Sequence, residues 1–148
     1  MGKVIWLTGT SGAGKTTVAR KIQDILKDDK RQEVIIIDGD EMRESISLGA
    51  GFSKEDRKEH NLRVARLAKV LSNQITILVS VIAPMEEVRK EITRICNPDW
   101  VYVKRTMPER EGHFYEEPKG YFTVDHDELT PLESAIRILV NKLDKDGN

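Results

Sequence analysis

The sequence predicts an α/β domain of three layers, with a five-stranded parallel sheet lying between helices. Three observations lead there. Short runs rich in β-branched apolar residues alternate with stretches whose apolar residues recur at helical spacing. A glycine-rich loop stands between the first such run and the first such stretch. No repeat, low-complexity tract or Pro/Gly-rich linker divides the 148 residues, so one domain over 1–148 is expected, large enough to bury a core.

The first run, Lys3 to Thr8, reads as a buried strand. It leads into Gly9-Thr10-Ser11-Gly12-Ala13-Gly14-Lys15-Thr16, which fits the phosphate loop G-x-x-x-x-G-K-[ST], and then into a helix with Val18, Ile22, Ile25 and Leu26 on one face. Glycines let backbone N–H groups turn toward phosphate oxygens, and the helix that follows presents its positive dipole end. Gly9 through Thr17 are therefore the expected ATP-binding residues. Lys15 is expected to reach the β- and γ-phosphates, and the Thr16 hydroxyl to ligate Mg²⁺.

After a polar connection, Glu33 to Ile37 reads as a second strand covered on both faces. It ends at Asp38-Gly39-Asp40, and a short helix through Met42 and Ile46 follows. Ser53, with Asp56 three residues on, caps a long helix whose buried stripe is Val64, Leu67, Ala68 and Leu71. Ile75 to Val81 is the third strand. Pro84 suits the first turn of a helix burying Val88, Ile92 and Ile95, which Asn97-Pro98 stops. Trp100 to Val103 is the fourth strand, Lys104 to Lys119 a polar loop or lid, and Tyr121 to Val124 the fifth strand. The last helix has Thr130 as N-cap, Pro131 at its first position and Glu133 completing a capping box. Its expected buried face is Leu132, Ala135, Ile136, Leu139, Val140 and Leu143. In such a fold, ligands sit at the C-terminal ends of the strands.

Composition narrows the function. The hydrophobic fraction is 39%, the charged fraction 33% and the net charge −1, so nothing draws the chain as a whole to nucleic acid or membrane. The lone cysteine, Cys96, rules out an internal disulfide framework and reads as a partly buried thiol in a reducing cytoplasm. No signal peptide or membrane-spanning run is read. His113 and His126 have no metal-ligand spacing.

A phosphate loop serves kinases, motor ATPases and GTPases alike. Asn141-Lys142-Leu143-Asp144 has the letters of a guanine-reading motif but falls on the final helix rather than at a strand end. The third strand ends Val79-Ser80-Val81-Ile82, without the aspartate a motor ATPase uses to hold Mg²⁺. The second strand instead offers Asp38 and Asp40 near the loop. One can organise the waters of the metal, as expected of Asp38. The other can take the proton of an attacking hydroxyl. Lys15, Asp38 and Asp40 are thus the expected catalytic set, although acidic residues at a strand end can also cap a helix.

Asp38-Gly39-Asp40-x-x-Arg43, then Gly51-Phe52-Ser53-x-x-Asp56-Arg57 and Arg63, resemble the adenylylsulfate kinases. Ile82-x-Pro84 with Arg89 and Tyr115-Glu116-x-Pro118 extend the likeness over most of the chain. The resemblance implies a phosphate-loop kinase that uses ATP and Mg²⁺ to phosphorylate a ribose 3′-hydroxyl of adenosine 5′-phosphosulfate, in sulfate assimilation. It implies that Asp40, Arg43, Phe52, Arg57 and Arg63 form the acceptor site, with the arginines on its anionic groups and Phe52 on its base. Homodimers are common in that family. Three acceptor-side positions differ from its pattern, namely Ala83, Met85 and Glu86. His60 and Asn61 stand in shifted register where one asparagine is expected. The lid is cut to Arg105 through His113, with Lys104, Arg105 and Arg110 as its candidate cations. So short a lid is expected to leave only one aromatic face for the acceptor base.

Overall fold

A computed structural model describes residues 2–142. Its five strands are β1 (Val4–Thr8), β2 (Val34–Asp38), β3 (Thr76–Ser80), β4 (Asp99–Lys104) and β5 (Phe122–Asp125). All pair in parallel, in the order β2-β3-β1-β4-β5. The helices are α1 (Lys15–Lys30), α2 (Gly39–Arg43), α3 (Lys54–Leu71), α4 (Glu86–Cys96) and α5 (Pro131–Lys142).

Alternation along β1 divides the core in two. Ile5 and Leu7 face α1 and α5, packing with Val18, Ile22, Leu26, Ile138 and Leu139. Val4 and Trp6 face the other way, packing with Val64, Ala68, Val88 and Ile92 of α3 and α4. These are the three expected layers. The helix starts follow their sequence signals: Ser53 and Asp56 form a complete capping box, and Thr130 and Glu133 exchange bonds of 3.0 and 3.1 Å.

Several expectations change. β2 lies at the sheet edge, so Ile35 is exposed rather than covered. The short helix after it stops at Arg43, and Ile46 lies in the turns beyond, exposed. Pro84 precedes α4 instead of opening it, and Met85 is the N-cap. On α5, Leu132, Ile136 and Val140 are exposed, whereas Ser134, Ala135, Ile138 and Leu139 are buried. Helical spacing identifies a stripe but does not say which of two adjacent stripes meets the sheet. Leu143 and Asp144 lie outside the described residues. No helix among the described residues is long and apolar enough to cross a membrane.

The register sets the position of the site. Asp38 pairs with Ser80, and Ser80 with Leu7, so Asp38, Ser80 and Thr8 end their strands side by side under the phosphate loop.

Candidate active site

The loop between β1 and α1 turns on glycine geometry. Gly14, the N-cap of α1, has φ 98°, a left-handed value that side chains disfavour, and a Cβ there would come within 2.8 Å of the His126 ring. A Cβ on Gly9 would meet the Val103 carbonyl at 2.3 Å, so β4 can lie this close only to a glycine.

Lys15 is buried, and its ammonium donates to the carbonyls of Gly9 at 3.0 Å and Thr10 at 2.8 Å. Burial lowers its pKa to about 8 against the opposing pull of Asp38 and Asp40, which places both carboxylates near its charge. The Thr16 hydroxyl donates to Asp38 Oδ1 at 2.9 Å and lies 2.8 Å from the Ser80 hydroxyl. Asp38 has two roles, since its other oxygen accepts from the Glu41 N–H at 3.3 Å and caps α2. Ser80 was missing from the sequence-derived set. Its signal was its place at the end of β3, where only the lack of an aspartate was noted.

One cleft of about 740 Å³ joins these groups to residues expected on the acceptor side. Phosphate-loop residues, Asp38 and Asp40 line one part. Arg43, Phe52, Arg57, His60 and Asn61 line another, and Met107 to Arg110 with His113 to Tyr115 form the lid side. Arg43 donates to the Gly51 carbonyl at 3.1 Å and lies 4.4 Å from the centre of the Phe52 ring. Burial, then the charge of Arg57, lowers its pKa, with Asp40 and Asp56 opposing. Arg63 is not among the residues lining the cleft; it donates to Glu59 at 3.2 Å and to the Ile46 carbonyl at 2.8 Å. Of the candidate lid cations, Arg110 lines the cleft, whereas Lys104 and Arg105 do not.

The lid carries an aromatic that the sequence reading overlooked. Phe114 is partly exposed and lines the same cleft as Phe52, so the short lid does not leave a single aromatic face. Behind it, Tyr115 stacks on Tyr102 and bonds the Thr8 hydroxyl at 2.8 Å. Fully buried Arg89 donates to the carbonyls of Ala83 at 2.7 Å and Glu116 at 2.6 Å, tying the end of the lid to the loop after β3. Ala83 has φ 47°, a left-handed value for a non-glycine residue, at the edge of the cleft. His60 pairs with the buried Ser47 hydroxyl at 2.8 Å, and burial with the charges of Arg43 and Arg63 lowers its pKa to about 4. Cys96 is partly buried, which pushes its thiol up to about 11 and leaves it unreactive.

A family model described as adenylylsulphate kinase matches residues 1–124. The adenylyl-sulfate kinase of Picosynechococcus is 40% identical, with 99% of this chain and 96% of the relative aligned. A structure of the Mycobacterium tuberculosis APS kinase CysC superposes with a TM-score of 0.77 at 26% identity, covering 94% of this chain and 95% of the other. The hexameric APS kinase of Thiobacillus denitrificans superposes at 0.83 and 27% identity, covering 99% of this chain but only 29% of that one. A family model matched over residues 1–124 and a relative 40% identical over nearly the whole of both chains show that the chain belongs to the adenylylsulfate kinase family of ATP-dependent phosphotransferases.

Proposed function

We propose that this chain, as a single kinase domain over 1–148, transfers the γ-phosphoryl group of ATP to a ribose 3′-hydroxyl of adenosine 5′-phosphosulfate or a close nucleotide analogue. One observation carries the reading: the phosphate loop, Asp38 and Asp40, and the Arg43–Phe52 and Arg57–Phe114 pairs share one cleft. Donor and acceptor sites so joined allow direct transfer between two bound substrates.

The loop N–H groups and Lys15 bind the ATP phosphates, Lys15 leaving the Gly9 and Thr10 carbonyls to neutralise charge that develops on the transferred group. Asp40, at the start of α2, orients or deprotonates the acceptor hydroxyl. Arg43 and Arg57 fork onto its phosphate and sulfate oxygens. Phe52 and Phe114 offer two faces for its base. Thr16, Ser80 and Asp38 bring two hydroxyls and a carboxylate within hydrogen-bond reach, a hard-oxygen set that fits Mg²⁺. Thr16 would hold the ion directly and Asp38 through water. Held by these residues, the ion would supply positive charge to offset that of the nucleotide phosphates.

A cytoplasmic location and self-association belong to the same proposal. The lone cysteine supports the first and the hexameric relative the second, a homodimer being the smallest such form. Light scattering on the purified chain tests the copy number.

The deciding experiment is ADP release with ATP and Mg²⁺, first with adenosine 5′-phosphosulfate and then with other nucleotides. Fast release with the sulfated nucleotide, lost in Lys15→Ala, supports the reading. Release with another acceptor alone moves the substrate and keeps the mechanism. Silence with every acceptor would make the chain a nucleotide-binding module.

A further inference from the structure

A phosphate loop turns its N–H groups into the cleft, so its carbonyls face outward and need donors of their own. Two consecutive ones find them on the loops after β4 and β5. Arg105 donates to the Gly12 carbonyl at 3.0 Å, and His126 Nδ1 lies 2.7 Å from the Ala13 carbonyl. Neither residue lines the cleft, so both hold the loop from behind.

The His126 ring is held at both ends. A carbonyl only accepts, so Nδ1 carries a proton and donates it to Ala13. Nε2 lies 3.0 Å from the hydroxyl of Ser134, a fully buried residue in the first turn of α5. The ring also closes against Gly14, where a Cβ would come within 2.8 Å of Nδ1. The next residue, Asp127, accepts from the Thr106 backbone N–H at 3.1 Å and from its hydroxyl, which ties the loop after β5 to the root of the lid beside Arg105. The donors to the Gly12 and Ala13 carbonyls thus belong to one connected brace reaching back to α5.

We infer that His126 is a positioning residue for the reaction: through the Ala13 carbonyl it holds the phosphate loop in the shape that receives nucleotide. The inference rests on the loop being the ATP site, and extends that reading to a residue outside the cleft.

The test uses the shapes of two amides. Asparagine can place an N–H where Nδ1–H stands, whereas glutamine places its amide where Nε2 stands. Affinity for a fluorescent ADP analogue with Mg²⁺ is measured on the full chain, beside a thermal melt of each variant. No acceptor is needed, so failure of the acceptor assignment leaves the test intact. His126→Ala and His126→Gln should weaken ADP binding about tenfold, the scale of one well-placed hydrogen bond, while His126→Asn stays within about threefold. Should His126→Ala fail to fold, the Asn and Gln variants still decide. Equal weakening by Asn and Gln would reduce His126 to a packing residue, and unchanged affinity in all variants would overturn the inference outright. A wild-type chain that does not bind ADP would overturn both this inference and the site reading.

Discussion

The Arg57 guanidinium lies 5.3 Å from the centre of the Phe114 ring while donating to the Gly112 carbonyl at 3.0 Å. One side chain of α3 thereby fixes both the lid tip and an aromatic face toward the cleft. A base stacked on an aromatic gains about 1–3 kcal/mol, so Phe114→Ala should raise the acceptor KM roughly 5- to 150-fold, with the ATP KM nearly constant. Initial-rate kinetics with each substrate varied in turn would check this. A Phe114→Ala enzyme with an unchanged acceptor KM would show that the ring serves only to pack against Arg57.

Lys15 makes nucleotide binding sensitive to alkaline pH. Burial lowers its pKa from 10.5 to about 8, so raising the pH through 8 discharges the ammonium in the free enzyme, and phosphates prefer the charged form. The affinity for ATP should therefore fall about fivefold between pH 8 and pH 9. Titration of ADP or ATP across that range, with Lys15→Met as the pH-insensitive control, provides the measurement.

His60 makes the fold sensitive to acid. Its folded pKa of about 4 lies below the ordinary 6.5 because it is buried beside Ser47 and faces the charges of Arg43 and Arg63. Between pH 6.5 and 4 the unfolded chain binds the proton more readily, so stability is full above 6.5 and declines as pH falls toward 4. The loss attributable to this residue is on the order of 3 kcal/mol. Urea unfolding at several pH values should show the slope, and His60→Gln should flatten it.

Arg89 is expected to matter for stability before chemistry. It is buried with its Nε unpartnered among the described residues, and its two terminal nitrogens satisfy the Ala83 and Glu116 carbonyls. Arg89→Met takes the guanidinium donor from both carbonyls, leaving Ala83 only a 3.5 Å bond from the Thr8 hydroxyl, at about 1–3 kcal/mol for each bond lost. The melting temperature should drop by roughly 5–15 °C. Arg89→Lys, which cannot span both carbonyls as a fork does, should recover only part of it.

The phosphate loop, the helix caps and the strand–helix alternation were legible because each depends on residues near one another in the chain. Gly14 and Thr16 carry their geometry in the motif itself, and Ser53 caps α3 through Asp56, three residues on. The residues proposed for the acceptor side were legible only through resemblance. Arg43, Phe52 and Arg57 line the cleft, whereas Arg63, on the same helix as Arg57, turns to Glu59 and the Ile46 carbonyl. Ser80 and Phe114 escaped notice because a lone serine and a lone phenylalanine in a polar segment carry no local pattern.

By itself, then, the sequence determined a parallel α/β fold with a nucleotide-phosphate loop, since periodicity and a contiguous motif need no knowledge of distant contacts. Only the tertiary structure decided the rest. It put β2 at the edge, exposed the Leu132–Ile136–Val140 stripe of α5, and brought Thr16, Asp38 and Ser80 together from three segments. It also set His126 against the Ala13 carbonyl, across 113 residues of chain. Strand order and helix rotation follow from which faces exclude water together, a property of the assembled layers rather than of any one stretch.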